Sequence, residues 1–160
     1  MARKHLTIGL FGFGCVGQGL QETLTRSGSV PATIKKICIK HPDKERTLDA
    51  SLFTTNPDEI LSDPDIDVVL ELIDDAEAAY HIVTQALRKG KAVISANKKL
   101  LATHFEELQL LQKETGTPFL YEGACCASIP IIRNLEEYYD NDLLQGISGI
   151  FNGSSNFILS

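Results

Sequence analysis

Short apolar runs alternate along the chain with longer segments in which apolar residues recur at helical spacing. Runs of four to eight residues bounded by glycine, proline or polar residues are typical of strands. These runs lie at 6–11, 34–40, 68–73, 92–95, 119–122 and 144–151, with a shorter one at 52–55. Because most of the runs are apolar without alternation, we expect strands that are covered on both faces, as in a parallel sheet.

The segments between the runs predict helices. In the first of these, at 16–25, Val16, Leu20 and Leu24 form one apolar stripe. Further helices are expected from about Pro57, from Asp74 or Asp75 to Gly90, from Asn97 to Thr115, and from Pro130 to Tyr139. Strands that alternate with helices predict an α/β fold with a mostly parallel, doubly wound sheet and helices on both faces.

A glycine-rich loop joins the first predicted strand to the first helix. The residues from Gly12 to Gly17 fit the pattern G-x-G-x-x-G in the βαβ context that the motif requires. In such a loop the first glycine makes the turn, the second admits a diphosphate to the backbone, and the third lets the helix pack closely. The sequence therefore predicts a Rossmann-like, dinucleotide-binding domain, with Gly12 and Gly17 among its cofactor-binding residues.

The end of the second strand bears on the choice of cofactor. A carboxylate at this position holds the ribose 2′-hydroxyl of NAD, but the chain has Lys40 here. A lysine attracts a 2′-phosphate, so Lys40 favours NADP over NAD. The alternatives are that Lys40 is a solvated strand end and that the nearby Asp43 takes the role of the acid.

Composition and charge exclude several other classes of protein. The 160 residues are 43% hydrophobic and 22% charged, which is typical of a globular domain. The net charge is −6 and no basic run stands out, so nucleic acid is not an expected partner. No apolar run has the ~20 residues of a membrane helix, and we expect no signal peptide before the first strand. We expect a cytoplasmic protein whose four cysteines are reduced.

Several further motifs, in a fixed order, resemble those of one family of enzymes. They are S-A-N-K-K-L-L-A at 95–102, Y-E at 121–122, S-I-P-I-I at 128–132 and G-I-F-N-G-S-S-N at 149–156. Together with the glycine loop and E-L-I at 71–73, they resemble the N-terminal part of the homoserine dehydrogenases. The resemblance extends over nearly the whole chain.

The resemblance implies an activity and a domain arrangement. The family reduces aspartate semialdehyde to L-homoserine with NAD(P)H, a step in the synthesis of threonine, methionine and isoleucine. A Rossmann-like domain is followed there by a substrate and dimerisation domain, and the whole enzyme is expected to be a homodimer. We therefore expect a nucleotide-binding domain at 1–145 and the start of a truncated second domain at 146–160, with no turnover by this chain alone.

The resemblance also assigns site residues. It implies that Lys98, at the junction of cofactor and substrate, is catalytic and binds a substrate oxygen. The alternative is that Lys98 is a surface charge at the start of a helix. The remaining implied residues are Phe13, Gly14, Cys15 and Val16 at the cofactor phosphates, Ile73, Asp74 and Asp75 near the nicotinamide, Ser95 at the cofactor, and Gly153 and Ser154 at the substrate.

A cation site is implied at the end of the last predicted strand of the first domain. There Glu122 would bind a sodium ion together with the backbone carbonyls of Cys125, Ala127 and Ile129, which are hard oxygen ligands. The alternative is an exposed glutamate. The chain departs from the family pattern where relatives have glycines, at residues 125–128 and at Asp74 and Asp75.

Two other functions stay open at this point. One is a different NAD(P)-dependent dehydrogenase of the same fold, such as aspartate dehydrogenase. The other is a non-catalytic regulatory domain that senses a dinucleotide. A change in partner binding on addition of a ligand, without catalysis, would identify the second.

Overall fold

A computed structural model describes residues 4–28, 30–126 and 129–149, and the strands within this part form a single parallel sheet. They are β1 Leu6–Phe11, β2 Ala32–Cys38, β3 Phe53–Thr54, β4 Val68–Glu71, β5 Ala92–Ser95 and β6 Phe119–Leu120. Their order across the sheet is β3-β2-β1-β4-β5-β6, and all neighbouring strands are parallel. This is the order of a doubly wound dinucleotide-binding fold.

Helices connect the strands, and residues of low helix propensity mark where they begin and end. In the described residues the α-helices are α1 Cys15–Ser27, α2 Asp58–Leu61, α3 Ala76–Arg88, α4 Lys98–Thr115 and α5 Ile131–Tyr138. Asp75 and Asn97 accept hydrogen bonds from the first-turn N–H groups of α3 and α4, while Gly28 and Gly116 end α1 and α4 with φ of 51° and 64°.

The apolar core lies on both faces of the sheet. On one face, Leu20 and Leu24 of α1 pack against a cluster that contains Leu10 and Ile37 of the strands. On the other face, helices α2, α3 and α4 cover a second cluster around Val69. The predicted α/β fold, Rossmann-like with helices on both faces, is therefore confirmed. None of the helices in this part of the chain has the length and apolar character to cross a membrane.

Some predicted boundaries were wrong. β4 ends at Glu71 rather than at residue 73, because its register partners Phe11 and Ser95 end the strands on either side. Val16 was placed on the apolar stripe of α1, but it lies in the first turn and is 62% exposed. The strand predicted at 144–151 is absent from the described residues 144–149, because no strand of the sheet pairs with them; residues 150–151 lie outside the described part.

Candidate functional site

The loops at the carboxyl ends of the strands form the candidate site. β1 lies inside the sheet, and the chain proceeds from it to β2 and β3 on one side and to β4, β5 and β6 on the other. Where the strand order reverses, the loops after neighbouring strands diverge and leave a crevice that binds ligands in α/β proteins. Here the loops after β1 and β4 border this crevice.

Packing requires a glycine at two of the three positions in the loop after β1. Gly12 has a φ of 91°, and a Cβ there would lie 2.7 Å from the carbonyl oxygen of Leu72. A Cβ on Gly17 would lie 2.8 Å from the carbonyl oxygen of Gly12, so a side chain would push α1 away from the loop. A Cβ on Gly14, by contrast, would meet no described heavy atom within 4 Å. The space next to Gly14 is therefore open to a ligand.

The amino end of α1 presents hydrogen-bond donors beside that open space. α1 begins at Cys15, and no described side chain caps it. First-turn N–H groups have no acceptor inside a helix, and they carry the positive end of the helix dipole. Cys15 and Val16 are exposed here, while the Phe13 ring packs edge-on against Phe53 with centroids 5.4 Å apart. This end of the helix is suited to the diphosphate of a dinucleotide.

A buried chain of hydrogen bonds joins the ends of β4 and β5 to the start of α4. The fully buried Glu71 carboxylate accepts from Ser95 Oγ at 2.6 Å and from Ile73 N at 2.8 Å. Ser95 Oγ accepts from Asn97 N at 3.1 Å, and Asn97 Nδ2 donates to the Ile73 carbonyl at 3.1 Å. Burial raises the pKa of Glu71, and the hydrogen bonds that it accepts oppose the rise.

Lys98 is the first residue of α4 and is exposed. Asn97 caps this helix by accepting a hydrogen bond from Leu100 N at 3.0 Å. Lys98 and Lys99 place two positive charges in a first turn that has no acidic residue, which is unfavourable beside the positive end of the helix dipole. Burial raises the pKa of the Cys125 thiol, and the nearby charge of Lys98 opposes this rise. An anionic ligand would relieve the excess positive charge.

Lys40 was predicted to end the second strand, but β2 ends at Cys38, and Lys40 lies two residues beyond it. There it lines a cleft of 370 Å³ together with Asp74, Asp75 and Lys99. The hydrogen bond from Ala78 N lowers the pKa of Asp75, and the charges of Lys40 and Lys99 lower it further. Asp75 therefore has a structural role as the cap of α3, and both acids of this loop lie beside two lysines in the cleft.

Comparisons with known proteins show which family the chain belongs to. A family model described as "Homoserine dehydrogenase, NAD binding domain" matches residues 12–122, which is more than half of the chain. This chain belongs to the homoserine dehydrogenase family. The homoserine dehydrogenase of Bacillus subtilis is 37% identical over 98% of the chain, and that of Helicobacter pylori is 34% identical over 99%.

A solved structure agrees with these relatives. The chain matches a homoserine dehydrogenase from Thiobacillus denitrificans with a TM-score of 0.85 and 36% identity over 98% of its length. The match covers 38% of that structure, and the chain likewise spans 38% of both bacterial relatives. The predicted family is confirmed, and the part of the relatives that the chain matches is the one that binds NAD.

In this member of the homoserine dehydrogenase family, Glu122 is engaged with a helix. Its carboxylate oxygens accept hydrogen bonds from Ile132 N at 3.1 Å and Arg133 N at 2.9 Å, in the first turn of α5. The carbonyl oxygen of Ile129 accepts from Ile131 N at 2.8 Å. The described residues contain no cluster of three or more histidine, cysteine, aspartate or glutamate side chains suited to a metal.

Most of the site residues predicted for this family member lie at the carboxyl edge of the sheet. Ser95 is fully buried there, so its hydroxyl has no surface to offer a cofactor. Three predicted residues fall outside the described part of the chain, namely Ala127 of the cation site and Gly153 and Ser154 of the substrate site. The others follow successive strands: 12–17 after β1, Lys40 after β2, 73–75 after β4, Lys98 after β5, and Glu122, Cys125 and Ile129 after β6.

Sequence reasoning missed two features of the site. One is the role of Glu71, which lies in a run interpreted as an apolar strand. A lone acid in such a run needs buried hydrogen-bond partners, so its presence was a signal of the hydrogen-bonded chain at this end of the sheet. A cleft of 490 Å³ beyond β2 is lined by Lys44 and Arg46. The Arg46 guanidinium donates to the carbonyls of His41 and Lys44 at 2.8 and 2.6 Å and lies over the Phe53 ring. No motif marks this loop in the sequence.

Proposed function

We propose that this chain binds NAD(P)H as the nucleotide-binding part of an enzyme that reduces aspartate semialdehyde to L-homoserine. The observation that carries the proposal is the open space at Gly14, between two glycines that packing requires and beside an uncapped helix. A packing turn alone would not need glycine at this position. Because the relatives are homoserine dehydrogenases along the whole match, a different dehydrogenase or a purely regulatory domain is not favoured.

Each part of the crevice has a role in this proposal. The backbone of 13–16 and the amino end of α1 bind the diphosphate. The loop of Ile73, Asp74 and Asp75 lies against the nicotinamide, since it forms the opposite wall of the crevice. Lys98 binds the oxygen of the substrate that gains charge when the hydride is transferred, and an ammonium group stabilises that charge. The dinucleotide supplies the hydride, and the chain positions it.

We propose NADPH as the preferred cofactor. Lys40 occupies the position where an acid would bind the 2′-hydroxyl of NAD and would repel a 2′-phosphate. Lys44 and Arg46 line the neighbouring cleft and add positive charge on the same side of the crevice. Lys40 shares its cleft with Asp74 and Asp75, and a 2′-phosphate would be a stronger partner for its ammonium group than these carboxylates.

The described oxygens of the implied sodium site, on Glu122 and Ile129, accept hydrogen bonds from α5. Both carboxylate oxygens of Glu122 already accept N–H groups of α5, and the carbonyl of Ile129 accepts another. An ion at this place would compete with the cap of α5. We therefore propose that Glu122 stabilises the start of α5.

The arrangement of the whole protein is proposed from the same relationship. We propose that residues 1–145 form the nucleotide-binding domain, that 146–160 begin a substrate domain containing Gly153 and Ser154, and that the complete enzyme is a homodimer. A cytoplasmic location agrees with the four cysteines, none of which forms a disulfide in the described part of the chain.

Calorimetric titration of the chain with NADPH and NADH tests the proposal, followed by an assay with aspartate semialdehyde. We expect saturable binding of NADPH but no oxidation of it, because positioning of the substrate needs further walls and a second proton-transferring group. If neither NADPH nor NADH binds, the proposed function is refuted. Robust turnover would show instead that the catalytic residues all lie within these 160 residues.

A further inference from the structure

We propose that Glu71 is a positioning residue. Through Ser95 and Asn97, it holds the loop at 73–75 in a fixed position relative to the amino end of α4. The inference rests on the proposed function, because it assumes that the nicotinamide lies between these two segments. Glu71 itself is fully buried, so its side chain has no surface with which to contact a ligand. Its effect on binding is therefore exerted through the backbone at Ile73 and the helix that begins with Lys98.

The hydrogen bonds form a closed ring with a fixed direction. Asn97 N donates to Ser95 Oγ, which leaves the single hydroxyl proton of Ser95 for Glu71 Oε2. Glu71 Oε1 accepts from Ile73 N, and the ring closes where Asn97 Nδ2 donates to the carbonyl of Ile73. Two donors thus converge on Glu71, and a group that accepts at both oxygens is what they require.

The ring ties together the parts of the site that must agree in position. Glu71 and Ser95 are register partners at the last residues of β4 and β5, so their side chains meet where both strands end. Asn97 also accepts from Leu100 N, and this bond fixes the first turn of α4 beside Lys98. A shift at Glu71 is therefore transmitted both to the loop at Ile73 and to the residue proposed to bind substrate.

Stability alone does not explain an acid at this position. An apolar side chain in the strand would avoid the cost of burying a carboxyl group, and replacing buried polar groups by apolar ones is often neutral or stabilising. The residues before Glu71 in β4 are all buried and apolar. The acid stands at the last residue of β4, where its carboxylate accepts a hydrogen bond from the loop that borders the crevice, which is the place for a positioning role.

Glu71→Gln changes the chemistry of the ring while preserving its size. A glutamine accepts at one end only, so its amide N–H₂ must face either Ile73 N–H or the Ser95 hydroxyl. Ser95→Ala removes the bridging hydroxyl, and it tests the same ring if the glutamine variant fails to fold. Thr117→Val is a matched control, because Thr117 is also buried and donates to the Leu87 carbonyl at 3.2 Å, but precedes β6 at the opposite edge of the sheet.

The experiment compares two ligands of the same chain by calorimetry: NADPH and 2′,5′-ADP, which lacks the nicotinamide half. We expect Glu71→Gln and Ser95→Ala to weaken NADPH binding by about tenfold, the effect of one strong hydrogen bond, and to leave 2′,5′-ADP binding within about twofold of the parent. At saturating NADPH, both variants should also lose fluorescence enhancement of the bound reduced nicotinamide. Thr117→Val should lower the melting temperature without changing either affinity.

The outcomes separate this inference from the function on which it rests. Equal losses for the two ligands, or no loss for either, would show that Glu71 only stabilises the fold and would overturn the positioning role. If the parent chain binds neither ligand, the proposed function fails and this inference fails with it. A selective loss of NADPH affinity in Glu71→Gln or Ser95→Ala, with an unchanged control, supports the positioning role.

Discussion

Replacing Gly14 by alanine separates ligand binding from folding. The backbone at this residue has φ −82° and ψ −159°, an extended conformation that alanine adopts without strain. The added methyl group would meet no described atom within 4 Å. It would instead occupy the space through which a diphosphate reaches the backbone of the loop. The substitution therefore leaves the fold intact and obstructs the proposed ligand.

The expected magnitudes differ greatly between stability and binding. A glycine-to-alanine change at a compatible backbone stabilises by about 0.4–1 kcal/mol through the unfolded chain. Alanine is a poorer N-cap than glycine by a similar amount, so the two effects nearly cancel and the free energy of unfolding should change by less than ~1 kcal/mol. Loss of one charge-assisted hydrogen bond to the diphosphate costs about 1.5–3 kcal/mol, which weakens binding by at least about tenfold.

Urea unfolding followed by circular dichroism measures the first quantity, and calorimetric titration with NADPH measures the second. Gly19→Ala is the matched control, since Gly19 lies inside α1 and a Cβ there also meets nothing within 4 Å. We expect this control to stabilise the chain by about 0.5–1 kcal/mol and to bind NADPH normally. If Gly14→Ala binds NADPH as tightly as the parent, the loop is a packing turn and the reasoning is refuted.

Three other predictions follow from the charged groups. Lys40→Asp should reverse a preference for NADPH over NADH of about tenfold or more, measured by calorimetry; equal affinities in the parent chain would contradict this role of Lys40. Sodium chloride should not raise the melting temperature above that in choline chloride at equal ionic strength, because Glu122 caps α5; a sodium-specific rise would show an ion site. The hydrogen bond from Lys35 lowers the pKa of Asp63, so this pair stabilises the fold above the ordinary pKa of 3.8 and the contribution is lost as pH falls. Lys35→Met should therefore flatten the loss of stability in acid, and an unchanged acid limb in urea unfolding would refute this assignment.

The sequence predicted the parts of the fold that short-range chemistry determines. Gly12 and Gly17 could be assigned because a turn with positive φ and a close helix leave no room for a side chain. Asn97 marked the start of α4 because its side chain satisfies a first-turn N–H. The family motifs added the identity of the domain, which spacing alone did not provide.

What the sequence could not predict depends on partners distant in the chain. The role of Glu71 depends on Ser95, 24 residues away, and the pairing of their strands is known only once the sheet order is known. A strand was predicted at 144–151 in spite of its glycine interruptions, yet a strand also needs a partner, which residues 144–149 do not find among the described strands. Likewise, the family resemblance implied an ion at Glu122, and nothing local in the sequence indicated that α5 would use its carboxylate.

The two edges of the sheet differ in how their charges are paired, and the difference agrees with a ligand site at the carboxyl edge. Near the amino edge, Asp67 pairs with Lys4 at 2.7 Å, and Asp63 pairs with Lys35 at 2.7 Å. At the carboxyl edge, no described carboxylate lies within ion-pair distance of Lys98 or its neighbour in α4, although both stand at the wrong end of a helix dipole. Unfavourable charges such as these two lysines are expected where a protein binds a ligand, and they are not expected where the residues only stabilise the fold. A bound dinucleotide and an anionic substrate would supply negative charge beside these lysines in addition to that of Asp74 and Asp75, so ligand binding should stabilise this edge of the domain more than the opposite one.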